Sequence, residues 1–305
     1  MLGLGKPPLG FGPLPAVIGI IFAGQMFVVY LMAVLEGDVD AILPYISSAA
    51  NRQPQSCIFA IGANISSLLM AAMIHVRAYQ IDNVLIDTEN PFYAYLNYWG
   101  GQIVSFNKVA KWIGILSAIG LFVVANVQET AIIPVHMAAA LTAFGGFTIY
   151  MMFQCWFTWA LTGTITHVNV FIWRLTFTIL SAIFFVGSVT FGTLASHIFH
   201  QTYPDLPTPR PWSRHIYQPG YNYHQISAAC EWLCAFSQIL FMQSFIPEFE
   251  DIQYDYILYT PPEQLILNPE EREEPPYMTE EQRNAVRDNL PHLLGRNREL
   301  VHTED

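Results

Sequence analysis

The chain has 305 residues, of which 53% are hydrophobic, 14% aromatic and only 12% charged, and its mean hydropathy is +0.33. A soluble domain carries about 25% charged residues, because its surface faces water. The charged fraction of this chain is about half of that value, which excludes a chain made only of ordinary soluble domains. Much of the surface is therefore expected to face an apolar medium.

The negative charge is concentrated near the C-terminus. The formal net charge is −11, and residues 248–305 contain 15 acidic residues and five arginines. We divide the chain into a cytoplasmic N-terminal segment at 1–13, a transmembrane domain at 14–247 and an acidic cytoplasmic tail at 248–305. The tail is rich in Pro and Glu, a composition that predicts a mostly disordered segment.

Six apolar stretches are long enough to cross a bilayer, whose core of about 30 Å needs about 20 helical residues. In chain order they are 14–35, 57–76, 109–127, 136–161, 175–195 and 226–246. Arg77 ends the second stretch, and Arg174 lies at the edge of the fifth. Backbone groups in lipid must bond within their own segment, so the sequence predicts an all-α, polytopic membrane protein with six transmembrane helices in a bundle.

The basic residues predict the orientation of the bundle. An even number of spans puts both termini on one side, and cytoplasmic flanks are enriched in Lys and Arg. Five basic residues lie on the side of the termini and three in the opposite loops. The first group is Lys6, Arg77, Lys108, Lys111 and Arg174, and the second is Arg52, Arg210 and Arg214. We therefore expect cytoplasmic termini.

Several polar segments between or beside the spans carry more specific information than their hydropathy. They resemble signature segments of the DRAM (damage-regulated autophagy modulator) family, part of the Frag/DRAM/Sfk superfamily, and the resemblance covers about residues 14–250. The main segments are LPYIS at 43–47, PQSCIF at 54–59 and YHQISAACEW at 223–232, supported by NVQET at 126–130, His136 and FIPEF at 245–249.

The resemblance implies a six-span protein with cytoplasmic termini. Its better-known members modulate autophagy in lysosomes, Sfk-like relatives support phosphoinositide synthesis at the plasma membrane, and Frag-type relatives act in GPI-anchor maturation. We expect a modulator of autophagy in a lysosomal or endosomal membrane that acts by protein or lipid contacts without catalysis. The alternatives are an Sfk-like scaffold at the plasma membrane and an ion or lipid pathway through the bundle.

No motif of a known enzyme class occurs in the sequence, including the nucleophile elbow, the HExxH zinc motif, the P-loop and a CxxC pair. We therefore expect no catalytic residue, cofactor, metal or nucleic-acid partner; the expected partners are membrane lipids and proteins. His197 and His200, three positions apart at a helix end, could in principle share a metal, but are interpreted as interfacial histidines.

Glu129, His136 and Glu231 are predicted to form one polar cluster near the lumenal side of the bundle. Glu231 lies inside the sixth span, where a carboxylate at the membrane centre costs about 2.5–3.5 kcal/mol on insertion scales. Two interpretations stay open. The cluster is either a fixed polar clamp that orders three helices or a group whose proton-dependent charge responds to an acidic lumen.

Two short patterns in the tail predict an interaction motif for autophagy or sorting proteins. Each has an aromatic and an aliphatic residue three apart among acids: Phe249 with Ile252, and Tyr254 with Ile257. An extended peptide of this kind could add a strand to a partner's sheet and fill two pockets. The alternative is a plain solvated tail.

Overall fold

A computed structural model of the chain describes residues 10–86, 93–162, 166–209 and 218–250, together with Ile252. The regular structure within these ranges is helical. The helices are α1 (Pro13–Leu35), α2 (Ile46–Ala49), α3 (Gln55–Ile86), α4 (Tyr93–Asn126), α5 (Ile133–Ala160), α6 (Val168–Thr202), α7 (Tyr221–Gln243) and α8 (Ile246–Glu250).

Six of these elements are long and apolar enough to cross a membrane: α1, α3, α4, α5, α6, and α7 continued by α8. This confirms the prediction of an all-α membrane protein with six spans. The predicted helix ends at Arg77 and Arg174 were wrong. Helix α3 continues past Arg77 to Ile86, and α6 begins at Val168, before Arg174. Both arginines are buried and paired, which hydropathy along one segment cannot reveal.

Consecutive spans pack side by side around the bundle, and α7 also packs against α1, which closes it. Short links between spans favour antiparallel neighbours of this kind. The bundle therefore has two ends. The end that carries α2 and the links α1–α3, α4–α5 and α6–α7 is called the α2 end. The end where α1 begins and α8 lies is called the terminal end.

Helices α4 and α5 approach each other closely at Gly120. A Cβ atom at this position would lie 2.8 Å from the backbone nitrogen of Ala143 and 2.9 Å from the carbonyl oxygen of Ala139. Backbone atoms cannot move aside as a flexible side chain can, so the position requires glycine. Small residues on both helices thus allow the close contact that positions the α4–α5 link.

Candidate functional site

The segment that leads into α2 is attached to α7. The Tyr45 hydroxyl donates a hydrogen bond of 2.6 Å to Ser227 Oγ, and Trp232 Nε1 donates one of 2.8 Å to the carbonyl of Pro44. The ring of Tyr45 stands edge-on to the ring of His224, with centroids 4.6 Å apart. The polar segments at 43–47 and 223–232, far apart in sequence, therefore form one contact at the α2 end.

Glu129 lies in the α4–α5 link and is buried against α2. Ser48 Oγ donates a hydrogen bond of 2.9 Å to its Oε1 atom, and Ser47 Oγ donates a longer one of 3.4 Å to Oε2. A carboxylate only accepts hydrogen bonds, so two hydroxyl donors suit it. The link is also connected to the α2 region by Thr130, whose hydroxyl donates to Asn51 at 2.8 Å.

His136 lies in the first turn of α5 and is buried. Its Nδ1 atom lies 2.6 Å from the carbonyl oxygen of Val127. A carbonyl oxygen only accepts, so Nδ1 carries a proton and donates it. In the neutral ring, Nε2 is then the acceptor. This hydrogen bond fixes the orientation of the imidazole.

A cavity of about 350 Å³ lies at the α2 end and is lined by residues of all seven helices from α1 to α7. Glu129, His136 and Glu231 all line it, and so do Tyr45 and His224. The structure thus places the three residues of the predicted cluster around one space. Their role as a clamp or as a proton-dependent group stays a prediction.

Helices α5 and α6 contribute both apolar and polar residues to the lining of this cavity. Met137, Leu141 and Val189 line the cavity and are 43%, 43% and 40% exposed. Nearer the terminal end the two helices meet, where the hydroxyls of Thr148 and Ser181 are hydrogen-bonded at 2.8 Å.

A second polar site lies at the terminal end and was not predicted. Glu248 in α8 accepts hydrogen bonds at one oxygen, Oε2, from Arg77 Nη1 at 2.6 Å and from Arg174 Nη2 at 2.9 Å. The side chains of both arginines are 0% exposed and that of Glu248 is 3% exposed. We call these three residues the arginine–glutamate triad. It joins α3, α6 and α8.

Neutral groups also contact the two guanidinium groups. Arg77 Nε donates to Gln154 Oε1 at 3.1 Å, and Arg174 Nη1 donates to Thr158 Oγ1 at 2.7 Å. The ring of Phe245 lies 4.2 Å from the central carbon of Arg174. The sequence held one signal of this site: two arginines beside apolar stretches at the end where Glu248 follows the last span.

The triad changes the predicted start of the tail. Glu248 and Phe249 belong to α8 and are buried, and the Phe249 ring stacks on Phe245 with centroids 5.7 Å apart. Phe249 fills the core, which corrects its interpretation as a residue available to partners. Ile252 is half-buried and packs against the same core. Tyr254 and Ile257 lie outside the described residues, so their part of the motif stays a prediction.

His197 and His200 have separate partners. His197 Nε2 lies 3.0 Å from Gln201 Nε2, and His200 Nε2 lies 2.9 Å from the hydroxyl of Thr208. In the part of the chain that the structure describes, no group of three or more His, Cys, Asp or Glu residues is placed to bind a metal ion.

The fold and its sites define a polytopic helical membrane protein with a polar cavity at one end and a buried ion network at the other. The family model described as "Frag1/DRAM/Sfk1/Cwh43P N-terminal domain" matches residues 10–252. The chain belongs to this family, which confirms the resemblance found in the sequence. No solved structure matches the chain.

Curated relatives cover most of the same region. "DNA damage-regulated autophagy modulator protein 2" of Homo sapiens is 30% identical over 244 residues, 80% of this chain and 85% of the relative. "DNA damage-regulated autophagy modulator protein 1" of Mus musculus is 28% identical over 239 residues, 76% of this chain and 89% of the relative. "Modulator of macroautophagy TMEM150B" of Mus musculus is 30% identical over 152 residues, 49% of this chain and 57% of the relative.

Proposed function

We propose that the chain modulates autophagy from a lysosomal or endosomal membrane, through contacts with proteins or lipids and without catalysis. One observation carries the proposal. The similarity to the two relatives named DNA damage-regulated autophagy modulators runs through 80% and 76% of this chain, which is long enough to include the whole bundle.

The surroundings of the buried acids support contacts rather than catalysis. Glu129 accepts from two serine hydroxyls, and Glu248 accepts from two arginines. A general acid or base works when its proton can be exchanged with a reacting group. Carboxylates that already accept hydrogen bonds from fixed donors are better suited to organising helices.

The proposed orientation places the terminal end in the cytosol and the α2 end in the lumen. Among the described residues, Arg77, Arg174, Lys108 and Lys111 lie toward the terminal end, and Arg52 lies at the α2 end. This distribution agrees with the positive-inside tendency. Because both arginines of the first group bind Glu248 inside the bundle, the argument depends most on the two lysines.

Imaging and a flux assay test the proposal together. A tagged full-length chain is expected to coincide with lysosomal or endosomal markers, and its depletion is expected to change the lysosome-dependent turnover of autophagosome markers. Re-expression of the chain is the control and should restore turnover. A plasma-membrane location, unchanged turnover and reduced phosphoinositide synthesis would instead support the Sfk-like scaffold.

A further inference from the structure

The cavity at the α2 end changes in polarity along the bundle. Near the α2 end it is lined by hydroxyl, imidazole and carboxyl groups, which include Tyr45, Ser47, Glu129, His136, His224 and Ser227. Its deeper end is lined by the aromatic rings of Phe22, Phe144 and Phe185, and Glu231 lies between the two levels. His136 and Phe144 are eight residues apart on α5, so the two levels are separated by about 12 Å along that helix. Such a lining suits a molecule with a polar head and an apolar body.

The deeper end of the cavity continues into the core of the bundle. A smaller cavity of about 30 Å³ adjoins it, and four residues line both spaces: Phe22, Leu121, Ala143 and Phe144. Phe185 meets α5 at the same level, because a Cβ atom on Gly145 would lie 2.7 Å from its ring. The volume of about 350 Å³ is at the small end of the roughly 300–1,000 Å³ that is usual for ligand pockets. The space therefore suits one apolar chain that points into the bundle.

The polar end of the cavity offers hydrogen-bond acceptors. A hydroxyl group has one hydrogen and two acceptor lone pairs. Ser227 donates its hydrogen to the carbonyl of Ser188 at 2.6 Å. Thr193, which also lines the cavity, donates to the carbonyl of Val189 at 2.8 Å. The neutral ring of His136 donates through Nδ1 and so offers Nε2 as an acceptor. A head group that matches these side chains must therefore donate hydrogen bonds.

The need for donors selects the chemistry of the head. A carboxylate only accepts hydrogen bonds, so it would meet groups of its own kind. An ionised head of either sign must also leave water, at a cost that an uncharged hydroxyl group largely avoids. Uncharged hydroxyl groups on the ligand satisfy both conditions.

We propose that this cavity binds a single-chain amphiphile with an uncharged, hydroxyl-bearing head, of which a monoacylglycerol is the simplest example. The head donates to Thr193, Ser227 and His136, and the chain points toward Phe22 and Phe144. This inference goes beyond the modulation of autophagy. It concerns binding by the isolated protein, so its failure would leave the proposed function untouched.

A photoreactive lipid tests the position of the chain and the chemistry of the head. Full-length protein in phosphatidylcholine nanodiscs is irradiated with a monoacylglycerol that carries a diazirine at the end of its chain, and the labelled residues are mapped by mass spectrometry. Labels are expected on Phe22 or Phe144. Labels confined to lipid-facing residues such as Ile20, which is 72% exposed on the same helix as Phe22, would overturn the proposal.

Competition by three unlabelled lipids with one chain isolates the head. Decanoylglycerol has two hydroxyl donors, methyl decanoate has none, and decanoate at alkaline pH is an ionised acceptor. Decanoylglycerol is expected to suppress labelling at about tenfold lower concentration than the other two, as one or two added hydrogen bonds require. Equal competition by all three lipids would contradict a hydroxyl-bearing head.

Two pairs of substitutions test the site. Ala140→Phe fills the cavity and should abolish specific labelling, whereas Ala138→Phe, at an exposed position of α5 outside the lining, should not. Thr193→Val removes one acceptor and should raise the decanoylglycerol concentration needed by roughly two- to tenfold. Thr190→Val, exposed on α6 and outside the lining, is its control.

The two pairs are read against the melting temperature of each variant. Equal effects within both pairs, or unchanged labelling in Ala140→Phe with a melting temperature like that of the parent chain, would disprove this site. If Ala140→Phe does not fold, the threonine pair decides, because Thr193 Oγ1 donates only within its own helix.

Discussion

The guanidinium group of Arg77 on α3 lies 2.6 Å from the carboxylate of Glu248 on α8, 171 positions further along the chain, and both side chains are buried. The same carboxylate oxygen accepts from Arg174 on α6. One carboxylate thus joins three elements at the terminal end. Two buried cations share it, so the neutral acceptors and the Phe245 ring around them are needed to offset the remaining positive charge.

Replacing Glu248 by Ala is expected to destabilise the bundle strongly. The substitution leaves two guanidinium groups buried without an acid, and breaking a buried ion pair on one side costs about 3–5 kcal/mol. The measurement is the melting temperature of the purified protein in detergent. Glu250→Ala, two residues later and exposed, is the control and should change little. A melting temperature of Glu248→Ala equal to that of the control would contradict a stabilising role of the triad.

Gly120→Ala is expected to destabilise the α4–α5 contact by about 1–3 kcal/mol, the usual effect of overpacking. The added methyl group would meet the backbone of Ala139 and Ala143, which can move only if the helices separate. Gly24→Ala in α1 is the matched control, because nothing lies within 4 Å of its Cβ position. The control should be neutral or stabilising, since Ala favours a helix more than Gly by about 1 kcal/mol. Similar thermal unfolding of both variants would refute the close contact.

The orientation of the chain can be tested with two introduced cysteines in a variant whose exposed Cys57 is changed to Ser. Ile42→Cys lies in the exposed α1–α3 link, and an impermeant thiol reagent should label it from the lumen or exterior only. Gln264→Cys in the tail should be labelled from the cytosol only. Ser48, in the same link as Ile42, is unsuitable because it is buried against Glu129. The reverse labelling pattern would invert the topology.

The cluster of Glu129, His136 and Glu231 is expected to behave as a fixed clamp. Glu129 is oriented by hydrogen bonds from α2, and His136 by a hydrogen bond to the α4–α5 link. The cavity also contains the titratable groups of Tyr45, His224 and Cys234.

The clamp and the proton-dependent group differ in their response to pH. For a clamp, Glu231→Gln should leave the difference in melting temperature between roughly pH 5 and pH 7, where histidine titrates, the same as in the parent chain. Asp205→Asn, an exposed acid at the same end, is the control. A difference that shrinks in Glu231→Gln but not in Asp205→Asn would favour the proton-dependent group.

The predicted tail motif can be tested by the cellular location of a protein in which the motif is changed. If Tyr254 and Ile257 form a sorting or autophagy-protein motif, changing both to Ala should move the protein from the lysosome to the cell surface without changing its melting temperature. Tyr259→Ala, in the same tail but outside the pattern, is the control. Phe249→Ala should behave differently, losing about 3–5 kcal/mol of stability because its ring is buried. An unchanged location of the double variant, with unchanged binding to ubiquitin-like autophagy proteins, would leave only a solvated tail.

The sequence by itself determined the number and order of the spans. A lipid-facing helix must be apolar over about 20 residues, so each span is visible within one segment without knowledge of its neighbours. The order of the links also put Glu129, His136 and the start of α7 at one end. The sequence therefore predicted that these residues lie at one end of the bundle, but it did not reveal the hydroxyls of Ser47 and Ser48 that bind Glu129.

Only the tertiary structure decided where the second and fifth spans end and where the folded part stops. Hydropathy treats Arg77, Arg174 and Glu248 as charges that must lie outside the bilayer, one segment at a time. Their pairing across α3, α6 and α8 allows all three to be buried, and it brings Phe249 into the core with them. These buried charges are tolerated because an opposite charge meets them, and that condition depends on two segments of the chain at once.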